Sequence, residues 1–386
     1  MTSNRLLSLD AFRGFTIAAM LLVNYPGDWG HLYSQLAHAK WNGWTFTDWI
    51  FPFFLFISGV SLTLTLSLSL NRQAQAGVAP SALLRRLSQR AAIVFLIGLA
   101  LNLYPNFDWS TVRIPGVLQR IALCALLAGP IVLWFNWRQQ CGWIVSLLAL
   151  YSVLMLMIPV TDVEGVIGLG VLEPGRDVGA FVDRWLLDGH LWSASRTWDP
   201  EGLVSTLPAL GNLLLGVLAG RWIEQPLAKA EKTVWLFIAG LACLWLGEVL
   251  DVTFMPINKS LWTVSYSIFM NGWALIMFGV FYWLLDANPS PTLQRRSARL
   301  LHPCVVYGMN SLFIFALSGV IAKTLLLIKI TQADGSLLSL KTVLYASIQA
   351  LPLDPVNASL LYATLFNIFM FCIAWLMWRQ RWFVKV

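Results

Sequence analysis

Apolar runs of roughly 17–25 residues recur along the whole chain, parted by polar or glycine- and proline-containing segments. The runs are continuous and do not alternate with period two, so they predict membrane helices and not barrel strands. Ten spans are expected, at 8–26, 47–70, 88–105, 114–136, 142–160, 203–222, 233–252, 262–285, 302–328 and 357–378. The expected fold is an all-α polytopic membrane protein, one transmembrane domain over residues 1–386. An even number of crossings places both termini on one side. Two connectors are unusually long, at 27–46 and 161–202. Loops of that length without evident structure are more often functional than not. Both fall on the same side, so they can meet.

Composition supports the membrane reading. The chain is 58% hydrophobic and 12% charged, where a soluble protein carries about 25% charged residues. Its 20 tryptophans suit interfacial belts. The net charge of +7 is unevenly placed. One set of loops and ends carries Arg13, Arg85, Arg86, Arg90, Arg138, Arg221, Lys229, Lys232, Arg295, Arg296, Arg299, Arg379 and Lys385 with few acids. The opposite set holds Asp28, Asp48, Asp162, Asp183, Asp199 and Glu201. The positive-inside rule assigns the basic set, and both termini, to the cytoplasm. The basic residues are spread over separate loops, so a nucleic-acid partner is not expected. The five cysteines stand singly, without metal or disulfide spacing. MTSNRLLSLD reads as a polar lead into the first span and not as a cleavable signal peptide.

The candidate chemistry is concentrated in Asn24 to Pro52, NYPGDWGHLYSQLAHAKWNGWTFTDWIFP, which holds two of the four histidines. A neutral imidazole can take a proton near pH 7 or attack an activated acyl group. His38 and His31 have equal local claims, and each reads equally as a loop histidine without a task. Asp48, ten residues past His38, could orient it as in a triad. It could equally be an acid at a helix N-terminus, with Thr45 and Thr47 as caps. Arg120 lies inside the fourth span, where a charge is costly unless paired or facing a cavity. Asn24, Asn102, Asn212, Asn271 and Asn310 fall in or near spans and suit helix-to-helix hydrogen bonds. Asp10 and Arg13 either pair at the membrane surface or offer Arg13 to a phosphate. No Walker A, GxGxxG, HExxH or GxSxG motif stands in a credible context. These features alone leave an amino-sugar transporter and an intramembrane enzyme both open.

Seven segments, taken in order, resemble the heparan-α-glucosaminide N-acetyltransferase family. They are SLDAFRGFTIAAMLLVNYPG, AHAKWNGWTFTDWIFPFFLFISG, RIPGVLQRIAL, FVDRWLLDGHLW, WDPEG, PINKSLWTVSY and YGMNSLFIF. The first is weak alone, since other membrane acyltransferases share LDxxRG; the ordered set is specific. The resemblance implies acetyl transfer from cytosolic acetyl-CoA, as cosubstrate, to an amino sugar across the membrane. It maps the family histidine to His38 and the family asparagine to Asn24. It leaves room for a homodimer and implies no metal. The animal pattern carries an N-terminal luminal domain and an extra span that this sequence lacks. That turns the expected acceptor from heparan sulfate toward a free amino sugar or cell-wall fragment, in a bacterial inner membrane with the site facing the periplasm.

The expected division of labour follows. His38, Asn24 and Asp48 carry the chemistry, with His38 as base or as acetyl-carrying nucleophile and Asn24 as oxyanion donor. Arg13, Arg120, Arg379 and Lys385 attract the CoA nucleotide at the cytoplasmic mouth. Asp183, Asp199, Glu201, Asn258 and Lys259 meet the sugar.

Overall fold

The computed structural model describes residues 6–76, 80–332 and 335–384. It is a helical bundle with two small hairpins. In chain order the helices are α1 (Leu7–Asn24), α2 (Ile50–Ala76), α3 (Pro80–Leu103), α4 (Val117–Trp134), α5 (Trp137–Met157), α6 (Val178–Leu187), α7 (Thr206–Glu224), α8 (Lys229–Thr253), α9 (Val264–Tyr282), α10 (Pro291–Leu300), α11 (His302–Met309), α12 (Ser311–Leu327), α13 (Leu340–Gln349) and α14 (Pro355–Arg379). Strands β1 (Val160–Thr161) and β2 (Ile167–Gly168) form one antiparallel hairpin, β3 (Lys329–Thr331) and β4 (Leu337–Ser339) the other.

Among the described residues, nine helices are long and apolar enough to cross a membrane, and α11 with α12 makes ten if that bent pair counts as one span. Two differences from the ten expected spans stand out. The run 302–328 is continuous in hydropathy but bends by 80° between α11 and α12. Asn310 sits at the break. Its amide donates to Trp382 O at 2.9 Å and its carbonyl accepts from Val384 N at 2.9 Å. The side chain thus ties the bend to the segment after α14 instead of continuing a helix. The third span also begins earlier than expected, since Arg85 and Arg86 lie on α3 itself.

Local sequence fixes several helix starts. Asn136 and Gln139 form a reciprocal capping box at α5. Asp177, Thr263 and Ser339 accept from the first turns of α6, α9 and α13. Pro355 opens α14, where its missing N–H costs nothing.

The core helices meet through glycines. A methyl group on Gly59 of α2 would stand 1.9 Å from Leu213 O of α7, and one on Gly216 would stand 2.1 Å from Phe56 O. Any Cβ would push these backbones apart, the device expected where helices pack without a hydrophobic drive between them. In the windows that qualify as spans, α1, α2 and α7 are 67% buried, whereas α3 and α8 are 22% buried. The first three form the centre, and the other two turn apolar faces outward. Alternating direction brings the ends of α1, α3, α5, α8 and α12 to the same end of the bundle as the starts of α2, α4, α7, α9 and α14. The connectors at that end build the site.

Candidate active site

His38 lies on the connector between α1 and α2. Its Nδ1 is 2.7 Å from Asp48 Oδ1. Asp48 is fully buried in the turn that leads into α2. Its second oxygen accepts from Ala39 N at 3.1 Å, Thr45 N at 3.0 Å and Thr45 Oγ1 at 3.1 Å. Thr45 and Asp48 therefore form a reciprocal cap, and the same carboxylate holds His38. One carboxylate thus caps the turn and contacts the imidazole. With Asp48 ionised, the network assigns the proton to Nδ1 and leaves the lone pair on Nε2.

The connector is fixed by short contacts more than by regular structure. Thr45 Oγ1 donates to Ala37 O at 2.6 Å, Thr47 Oγ1 to Gln35 O at 3.2 Å, and Phe46 N to Gln35 Oε1 at 3.1 Å. Tyr266 of α9 donates its hydroxyl to Asp48 O at 2.7 Å. The two long connectors do meet. Trp41 Nε1 donates to Leu172 O at 2.8 Å, and the Trp41 and Trp198 rings stack edge to face at 5.4 Å.

A third segment joins them, between α8 and α9. Lys259 Nζ stands 3.0 Å from His38 Nδ1, 3.1 Å from His38 Nε2 and 3.8 Å from Asp48 Oδ1. Its neighbour Asn258 is buried and donates to Asn42 Oδ1 at 3.1 Å while accepting from Leu261 N at 2.9 Å. Of the two, Lys259 touches the histidine and Asn258 anchors the loop. Trp262 sits in the left-handed region, φ 56°, and is held there by its indole N–H bond to Asn212 Oδ1 at 2.9 Å.

The expected acids divide into two groups. Asp199 and Glu201 are both held by Arg113, with Nε to Asp199 Oδ2 at 2.8 Å, Nη2 to Asp199 Oδ1 at 2.6 Å, and Nη2 also to Glu201 Oε2. Burial works against the Glu201 charge, but Arg113, Arg120 and Lys259 outweigh it and hold its pKa below the usual value. Asp183 has one backbone donor, Leu203 N at 2.9 Å. Burial pushes its pKa up to about 7, and burial pushes that of Asp177 to about 6. Both line a small pocket with Tyr151, Trp198, Ser205 and Ser260. Ser260 is the chain neighbour of Lys259.

Arg120 is not at the end expected for it. Because α4 begins only at Val117, Arg120 falls in its first turn, at the end that carries His38. It is buried, donates to Gly202 O at 2.8 Å and to Ser205 Oγ, and lies over the Trp262 ring at 5.2 Å. Its Nε and Nη1 have no hydrogen-bond partner among the described residues. Arg13 sits inside the bundle, bonded to Ser61 Oγ at 2.7 Å and Asp10 Oδ1 at 3.3 Å. Arg379 is exposed at the end of α14, over Trp375 at 5.5 Å. Lys385 lies outside the described residues. Asn24 is exposed at the end of α1, and no hydrogen bond joins it to His38 or Asp48 among the described residues. Arg113 escaped the sequence reading. Its signal was an arginine opening RIPGVLQ together with the acids of WDPEG, but nothing in the sequence pairs segments so far apart.

A family model described as heparan-alpha-glucosaminide N-acetyltransferase, catalytic, matches residues 5–247. That range includes His38, Asp48, Arg113 and Arg120. The chain belongs to this family. It is 30% identical over 364 residues to the heparan-alpha-glucosaminide N-acetyltransferase of Homo sapiens, covering 81% of this chain and 52% of that protein. It is 29% identical over 365 residues to the Mus musculus protein of the same name, covering 81% and 53%. The chain thus spans about half the length of the curated relatives it matches. Membership of a membrane acetyltransferase family agrees with the long apolar helices, and the resemblance drawn from the ordered segments holds.

Proposed function

We propose that this single-domain protein transfers an acetyl group from cytosolic acetyl-CoA to the amine of a glucosamine-type sugar on the periplasmic side of a bacterial inner membrane. The observation that carries the proposal is the His38–Asp48 pair, built from a sealed carboxylate and an accessible imidazole at the meeting point of three connectors. The family match and the relatives' names support the reaction type. The crowding of lysine and arginine at the far end supports the sidedness.

Acetyl-CoA supplies an acetyl group activated as a thioester. Around it, each residue has a task. Arg379 meets the nucleotide phosphates at the basic end, and the pantetheine arm passes Arg13. From Arg13 to Asn24 along α1 is about 16 Å of helix rise, the depth the arm covers. Arg120 fits the arm's polar groups near the site, because two of its buried donors are unpartnered. His38 Nε2 takes the proton from the attacking amine, while Asp48 steadies the imidazolium through Nδ1–H. Asp183, which shares a small pocket with Ser260, offers a carboxyl group to the sugar. Asn24 contacts the substrate from the open side.

The deciding assay uses purified protein, labelled acetyl-CoA and glucosamine. Labelled N-acetylglucosamine formed only by protein with His38 intact supports the proposal. Uptake of glucosamine into vesicles without acetyl-CoA supports the transporter reading instead. Exchange of label between acetyl-CoA and CoA without acceptor would contradict direct transfer and point to an acetyl-histidine.

A further inference from the structure

We propose that Lys259 is the oxyanion donor of this acetyl transfer, a role that rests on the function proposed above. The contact is unusual. One ammonium stands 3.0 and 3.1 Å from the two ring nitrogens of His38. The lone-pair directions of those nitrogens diverge, so a single ammonium cannot lie along both. Nδ1 is already engaged by Asp48 Oδ1 at 2.7 Å. Lys259 therefore engages the imidazole through one N–H and lies 3.8 Å from Asp48 Oδ1, which leaves a third N–H for another acceptor. It is within 3.1 Å of the nitrogen that faces the attacking amine. The oxygen that becomes charged forms beyond that amine, within reach of a flexible four-carbon side chain.

The backbone under Lys259 is fixed. Gly43 N donates to Ile257 O at 2.7 Å, Asn258 binds Asn42, Asn258 N donates to Thr263 Oγ1 at 3.0 Å, and Trp262 is buried against Asn212. A donor preorganised in this way needs no reorganisation when charge develops. Asn24 has no comparable connection to His38.

The step balances as follows. The amine lone pair forms the N–C bond, and the carbonyl π pair moves onto oxygen, where Lys259 Nζ–H donates to it. The C=O bond re-forms and the C–S bond breaks, its electron pair leaving on the CoA sulfur. The amine proton passes to His38 Nε2 and from there to the thiolate. Lys259 keeps its own proton throughout.

The charge on Lys259 is set by its surroundings. Burial lowers its pKa from the ordinary lysine value; Asp48 and Glu201 oppose the shift, and Arg120 and Arg113 add to it. His38 faces the same ammonium. Below its lowered pKa Lys259 is an ammonium and can donate to an oxyanion. Above it the amine is neutral, so turnover falls on the alkaline side.

The test compares wild type, Lys259→Met, Lys259→Arg and Lys259→Ala in the acetyl-transfer assay across pH. Lys259→Met is expected to lose about 10²–10³ in kcat with the KM for acetyl-CoA changed by less than about twofold. Its alkaline limb should disappear, and that of Lys259→Arg should move upward, since the guanidinium stays charged. Added propylammonium should restore part of the Lys259→Ala rate. Wild-type kcat in Lys259→Met, or an unmoved alkaline limb in Lys259→Arg, overturns the proposal. If Lys259→Met does not fold, the limb in Lys259→Arg still decides. Acetylation by wild type, its loss in His38→Ala and its full retention in Lys259→Met would remove Lys259 alone. Absence of acetylation by wild type would remove the acetyltransferase reading and this role with it.

Discussion

The connector between α1 and α2 holds two histidine–aspartate pairs of nearly equal length, and they are built differently. His31 Nδ1 is 2.6 Å from Asp28 Oδ2, and His38 Nδ1 is 2.7 Å from Asp48 Oδ1. Both imidazoles are about half exposed, at 50% and 47%, so the difference lies in the acids. Asp28 is 38% exposed, three residues from its histidine, and its other bond is to Gly30 N at 2.9 Å. Asp48 is 0% exposed, ten residues away, and locked by three donors. Water can replace the first acid at little cost, but not the second. Lys259 stands within 3.1 Å of His38, whereas Lys341 acts on Asp28 only through its charge. A histidine–aspartate distance alone therefore does not mark a catalytic pair. The seal around the acid and the neighbours of Nε2 are what distinguish the pair proposed as catalytic.

This contrast can be broken in a defined order. The largest effect is expected from His38→Ala, a loss of about 10³-fold or more in acetyl transfer, against less than about twofold for His31→Ala. Equal losses from the two would erase the distinction. Asp48→Asn comes next, with roughly 10²-fold or more lost in kcat at unchanged protein level, because the amide no longer steadies an imidazolium. Asp28→Asn should leave kcat where it was, and steady-state kinetics on the pair checks both.

Stability separates the remaining acids. Arg113→Met strands Asp199 and Glu201 and should cost roughly 3 kcal/mol in unfolding, since it leaves buried charge uncompensated. The triple change Arg113→Met, Asp199→Asn, Glu201→Gln should recover most of that loss. The smallest effect concerns Asp183, which has one donor where Asp48 Oδ2 alone has three. Its pKa is raised to about 7, so the folded state holds a proton that the unfolded state releases near pH 4. Its contribution is most favourable below about pH 4 and is lost as pH rises to about 7. Asp183→Asn should flatten the fall in melting temperature across that window. A steeper fall in the variant would contradict the assignment.

The spans were legible because continuous apolar runs report burial in lipid directly. The break at Asn310 was not, because its cause is a bond to Trp382 and Val384, some seventy residues on. Helix α10 was also missed; PTLQRRSARL is short and polar, and hydropathy does not register it. At the site, local sequence offered His38 and His31 equally, and the family resemblance chose between them. Asp48 could be read as cap or partner, and only the folded connector shows one carboxylate serving both. Arg120 fits a phosphate role by residue type, but its position close to the opening of α4 sets it at the end that carries His38. Asp199 and Glu201 looked free because Arg113 lies so far away in sequence. Long-range ion pairs leave no periodic trace, and that is where the sequence reading stopped.

The most direct test is acetylation of glucosamine by purified wild type, His38→Ala and His31→Ala, with labelled acetyl-CoA on a single preparation scale. The predicted result is labelled product from wild type and His31→Ala, and none above background from His38→Ala. Undiminished product from His38→Ala, or glucosamine uptake by wild type that proceeds without any acetylation, would contradict the account.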